Sequence, residues 1–89
     1  INAEYGQSAN ITTIKLSKCF PNVVSLNLQD NQIESDDFII YFPNLRRLNI
    51  KNNKIQFLQN VELLQNLKYL MIDENLEFNK SGVCVNGLL

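Results

Sequence analysis

Few side chains in this 89-residue chain are suited to chemistry, because it has no His and no Trp. Without an imidazole, Ser-His-Asp and Cys-His catalysis and the usual His-containing zinc sites are excluded. The two cysteines, Cys19 and Cys84, lie toward opposite ends of the chain with no base to activate either as a nucleophile. Carboxylates are paired at Asp36-Asp37 and Asp73-Glu74. Adjacent side chains in an extended segment point to opposite faces, so neither doublet forms an acid–base pair. Helix capping and a solvated face account for both. Asn10-Ile11-Thr12 and Asn79-Lys80-Ser81 match the N-glycosylation acceptor pattern. With 14 Asn and 7 Ser or Thr, about one such match arises by chance, so the two carry no weight. The expectation is a protein that is not an enzyme and holds no cofactor and no metal.

The remaining composition narrows the class. The formal charge of −1 argues against direct nucleic-acid binding and against an acidic membrane surface as partner. Hydrophobic residues make up 45% of the chain, which suits one small globular domain. No apolar run approaches the roughly 18 residues of a membrane span. No basic segment followed by an apolar one opens the chain, so no signal peptide is read there.

What must position any functional residue is a repeat. The chain has 14 Asn, 13 Leu and 9 Ile, and they recur in register. The stretches FPNVVSLNLQDNQI, FPNLRRLNIKNNKI and LQNLKYLMIDENLE begin at Phe20, Phe42 and Leu64, which sets a constant 22-residue period. Each carries L-x-x-L-x-L-x-x-N with conservative exchanges. The first reads Val23, Leu26, Leu28, Asn31; the second Leu45, Leu48, Ile50, Asn53; the third Leu67, Leu70, Ile72, Asn75. A weaker copy, Ile11, Ile14, Leu16, Cys19, lies upstream with Cys at the Asn position.

Over about residues 10–78 this pattern resembles the leucine-rich repeat family. The apolar spacing of three from Ile55 through Leu58, Val61, Leu64 and Leu67 to Leu70 matches its 22-residue, protein-phosphatase-regulator-like subclass. The resemblance implies an α/β fold: a right-handed leucine-rich repeat solenoid with a short parallel sheet on its concave face. The period-2 core then turns Leu26/Leu28, Leu48/Ile50 and Leu70/Ile72 inward from short strands near 25–28, 47–50 and 69–72. Such strands are too short to stand alone and bury their side chains only by stacking. A ladder of Cys19, Asn31, Asn53 and Asn75 at the strand ends is expected to hydrogen-bond main-chain groups left unpaired by the turn. Ser35 is read as the N-cap of a two-turn helix over DDFIIYF that Pro43 stops, and Asn60 as the cap before VELLQ.

The expected domain is residues 1–89, with a cap over about 1–19, repeats over about 20–41, 42–63 and 64–78, and a C-terminal cap or cut end over 79–89. The upstream copy is ten residues out of step. An antiparallel capping strand over Ile11–Leu16, an abnormally tight first coil, or ten missing residues would each account for that. Downstream, Glu77 takes the place of Ile33 and Ile55, so the repeats are expected to stop there.

The solvent side of the strands would present three rows: Thr13, Ser25, Arg47, Tyr69; Lys15, Asn27, Asn49, Met71; and Ser17, Gln29, Lys51, Asp73. The family's function implies protein–protein binding through this face, by Arg47, Lys51, Tyr69, Met71, Asn49 and Asn27, to another protein or peptide. Arg, Tyr and Met are types enriched at interfaces. The alternative is a structural segment of a longer leucine-rich repeat receptor or effector with no site of its own. Two free, partly buried thiols favour an intracellular compartment, cytoplasmic or nuclear, and leave secretion open.

Overall fold

The computed structural model describes the backbone of residues 2–4 and all of residues 11–87. Three strands fall where the L-x-L spacing puts them: β2 (Ser25–Asn27), β3 (Arg47–Asn49) and β4 (Tyr69–Met71). They pair in parallel, with Leu26 beside Leu48 and Leu48 beside Leu70. Two further strands extend the sheet, β1 (Asn2–Glu4) beside β2 and β5 (Cys84–Val85) beside β4. Among the described residues the sheet thus has five short parallel strands in sequence order, and two short 3₁₀ helices lie in the connections. Parallel neighbours require a long return path, which the 22-residue spacing supplies.

The alternating pattern puts one side of the sheet in the core. Leu26, Leu48 and Leu70 form one buried stack and Leu28, Ile50 and Ile72 the next. Behind them lie Val23, Leu45 and Leu67, and Ile33 with Ile55, all buried at 22-residue intervals. The Phe20 ring stacks on Phe42 with centroids 5.9 Å apart. Each short strand gains its stability from this stacking, since three residues alone bury too little to hold.

The upstream copy needs correcting. Ile11–Leu16 is not an antiparallel strand; it has no regular secondary structure and lies outside the sheet. The strand partner of β2 is Asn2–Glu4, with Ala3 opposite Leu26. Ala3 and Leu26 are 23 residues apart, close to one repeat period. Ile11 instead stands one repeat period before Ile33, and its amide donates to Asn31 Oδ1 (3.1 Å) as the Ile33 amide donates to Asn53 Oδ1 (3.0 Å). The spacing of Ile11, Ile14 and Leu16 imitates a strand core while belonging to the return path. Ala3 is too small to announce a strand in the sequence.

The connections are 3₁₀ helices rather than two α-turns. The first spans Asp37–Tyr41, with Asp36 and not Ser35 as its N-cap residue. Ser35 Oγ accepts from the Asp37 amide (3.3 Å). The 3₁₀ form rises about 2 Å per residue against about 1.5 Å for α, so it covers the return in fewer residues. Phe38, Ile39 and Phe42 are buried from it, and Pro43 follows. The second helix, Val61–Leu63, has Asn60 as N-cap residue without a side-chain cap bond.

At the far end the sheet runs on past residue 78. In the Val-Cys-Val trio, Cys84 and Val85 form β5, and Val83 is buried. The Ile72 amide donates to Asn86 Oδ1 (2.8 Å), and Lys80 Nζ donates to the Glu62 and Leu64 carbonyls (3.3 Å each). Leu88 and Leu89, like Asn10 of the first acceptor pattern, lie outside the described residues. Among the described residues no helix is long and apolar enough to cross a membrane.

Candidate partner-binding site

The side of the sheet opposite the core carries the residues at odd strand positions. The register aligns Ser25, Arg47, Tyr69 and Cys84 in one row and Asn27, Asn49 and Met71 in the next. Beyond the strands, the Asp30 amide donates to the Lys51 carbonyl (3.1 Å), which sets the extended segments holding Gln29 and Lys51 side by side. Thr13, Lys15 and Ser17 do not head these rows, because their segment lies outside the sheet.

Arg47, Tyr69 and Met71 are brought together. The Arg47 guanidinium carbon lies 4.7 Å from the centroid of the Tyr69 ring, a cation–π stack across β3 and β4. Tyr69 is 49% exposed and Met71 37%, which makes them the most exposed large apolar side chains of the strands. A shallow depression there is lined by Ser25, Asn27, Arg47, Asn49, Tyr69 and Met71. Lys51 is half-buried one row further on.

Asn27 and Asn49 are also engaged within the chain. Their Oδ1 atoms accept from the amides of Gln29 (3.0 Å) and Lys51 (3.1 Å), two residues on. Asn49 Nδ2 donates to Gln29 Oε1 (2.8 Å). Such local bonds hold the end of a strand, as Asn does in turns. Asn49 is thus bonded through both amide atoms and Asn27 through its oxygen alone.

The inward ladder has two rungs, not four. Asn31 is buried and its Nδ2 donates to the carbonyls of Leu28 (3.0 Å) and Gln29 (3.3 Å). Asn53 Nδ2 donates to Leu28 (3.0 Å), Ile50 (3.1 Å) and Lys51 (3.3 Å). Asn75 is exposed, in a turn closed by the Leu76 amide donating to the Asp73 carbonyl (3.0 Å). Cys19 is also exposed, and its thiol donates to the Ile40 carbonyl (3.4 Å) beside the first 3₁₀ helix. It shares the phase of Tyr41 and Leu63, far from the strand ends.

Both cysteines are free, Cys19 exposed rather than partly buried and Cys84 half-buried. A colorimetric thiol titration of the folded chain is expected to find one fast thiol, Cys19, and a slower one, Cys84. Equal rates would contradict the difference in exposure.

Sequence reasoning gave Asp36 and Asp73 to capping and a solvated face and did not single out Asp30, Arg46 or Lys68. Asp36 is 1% exposed. Its Oδ2 accepts from the amides of Gln59 (2.9 Å), Asn60 (2.8 Å) and Val61 (3.1 Å), and its Oδ1 from Asn60 Nδ2 (3.1 Å). The signal was an Asp in the phase of Leu58, a polar residue at an inward position. Asp73 accepts from the amides of Asn52 (2.8 Å) and Asn53 (3.4 Å), and Asp30 from Asn52 Nδ2 (2.7 Å). Arg46 and Lys68, both exposed, stand immediately before β3 and β4 at the rim of the candidate face. Among the described residues no group of three or more Cys, Asp or Glu is placed to hold a metal ion.

No protein-family model, no curated protein and no solved structure matches the chain.

Proposed function

We propose that the chain is a right-handed solenoid of 22-residue leucine-rich repeats that binds another protein through its concave sheet face. The repeat reading is supported by β2, β3 and β4, each in register with the next at one repeat period, with inward Asn31 and Asn53 bonded to the turn. The binding reading rests on one observation: Tyr69 and Met71 stay exposed beside the stacked Arg47 on a sheet whose backbone is already ordered. A rigid face of aromatic, thioether and guanidinium groups loses little conformational entropy on binding. The free Cys19 and Cys84 fit an intracellular setting.

The test is affinity capture with the wild-type chain and with the double variant Arg47→Glu, Tyr69→Ala. Both side chains point away from the core, so the melting temperature is expected to move by no more than about 3 °C. A partner captured by the wild type is expected to lose at least about tenfold in affinity. Unchanged affinity in the folded variant would move the site to the opposite face around Ile40 and Leu63, which are 58% and 63% exposed.

A further inference from the structure

We infer that the segment seated on this face presents a carboxylate side chain to Arg47, next to an apolar side chain that rests on Tyr69 and Met71. This builds on the binding face proposed above and names the chemistry of its occupant: an acidic, partly apolar stretch of another protein.

The inference starts from what Arg47 does in the free chain. Its guanidinium lies against the Tyr69 ring, and among the described residues nothing else engages it. Among the described residues its N–H groups donate to no acceptor, so they are left for a ligand. Those groups form a fork whose geometry matches a carboxylate through two parallel hydrogen bonds. The ring restrains the long Arg side chain before any ligand arrives, so little rotamer freedom remains to be lost.

The surrounding charges agree. Arg46 and Lys68 are exposed at the N-terminal rim of the face, and Lys51 lies one row beyond Asn49. Asp30 and Asp73 stand at the other end of the strands and are held toward Asn52, Asp30 accepting from its side chain and Asp73 from its amide and that of Asn53. In a chain of net charge −1, Arg46, Arg47 and Lys68 put three cations at the N-terminal ends of β3 and β4. Such a patch attracts acidic partners and disfavours basic ones. A nucleic acid fits less well. It needs a continuous cationic track along its backbone, whereas here Asp30, Asp73 and Glu74 interrupt the far side of the face. The apolar seat beside the fork, Tyr69 with Met71, asks instead for a Leu- or Phe-like neighbour to the acid.

The test is selection of a random 12-residue peptide library on the folded chain, with a random single-stranded RNA pool as a parallel arm. Selected peptides are then synthesised with each Asp or Glu, and again with the matching Asn or Gln. On the wild type, the amide twin is expected to bind about tenfold more weakly than the acid. On Arg47→Gln that acid-to-amide ratio should fall to about one. Arg47→Lys should restore only part of it, because an ammonium keeps the charge but not the fork. Added salt should narrow the ratio. If acid and amide twins bind the wild type alike while Tyr69→Ala abolishes binding, the carboxylate inference fails and the binding face stands. If binding ignores both Arg47 and Tyr69, the two fail together. A library that yields no binder, or RNA bound more tightly than any peptide, also overturns the inference.

Discussion

Asp36→Leu is expected to destabilise the protein by about 3 kcal/mol, read as a lower urea midpoint with an unchanged slope. The repeat pattern taken alone predicts the opposite. Asp36 sits in the phase of Leu58, where an apolar residue completes the spacing, and burying a Leu there gains about 2 kcal/mol. The hydrogen bonds reverse the sign. The carboxylate receives three successive amides, from Gln59, Asn60 and Val61, at the start of the second 3₁₀ helix, and the Asn60 side chain as well. Those backbone donors remain when the carboxylate is removed. Gln59 is exposed and its amide can turn to water, but Val61 is buried and Asn60 half-buried. Each stranded donor costs about 1–3 kcal/mol, and hydrogen bonds to a charged acceptor lie toward the top of that range. Two to three such losses exceed the gain from the Leu. Asp36→Asn keeps one acceptor oxygen but turns donors toward donors, so an intermediate loss is expected. An Asp36→Leu variant as stable as wild type would mean that the carboxylate does not hold the next connection in place.

Asp36 shows where sequence reading reached its limit. The pattern located β2, β3 and β4 because Leu26, Leu48 and Leu70 repeat at one phase with bulky apolar neighbours. Arg47, Tyr69 and Met71 followed as a cluster, since period-2 alternation places them on the opposite face. Position alone did not reveal that the Arg47 guanidinium sits over the Tyr69 ring; that depends on side-chain torsions. β1 was missed because Ala3 and its polar neighbours carry no hydrophobic signal, while Ile11, Ile14 and Leu16 imitate one. Asp36 was set aside as a surface cap because its partners all lie a full repeat ahead, beyond any local window. β5 was missed for a related reason: its register with β4 links Tyr69 to Cys84 and so breaks the 22-residue spacing.

The asparagines allow a sharper test, because three of them look alike in the sequence and differ in the structure. Asn53→Ala is expected to cost about 2–3 kcal/mol, Asn52→Ala about 1 and Asn75→Ala less than about 0.5. Asn53 donates to three carbonyls and accepts the Ile33 amide from the preceding repeat, so its loss unpairs main-chain groups in two repeats at once. No other side chain is in place to take over, and water reaches the half-buried site poorly. Asn52, one residue earlier, is exposed and bonds Asp30 across the surface. Its φ of 58° lies in the left-handed region, which Asn tolerates and Ala does not, so Asn52→Ala adds backbone strain to a minor lost contact. Asn52→Gly removes that strain and separates the two terms. Asn75 occupies the pattern position of Asn53, but the chain there turns early and the neighbouring Leu76 is buried instead. Chemical denaturation of the three Ala variants at one protein concentration decides among these. If Asn75→Ala costs as much as Asn53→Ala, the third repeat closes like the second, and the turn at Asp73–Leu76 is not the one described here. If Asn52→Ala costs as much as Asn53→Ala, the inward amide is not what joins one strand end to the next.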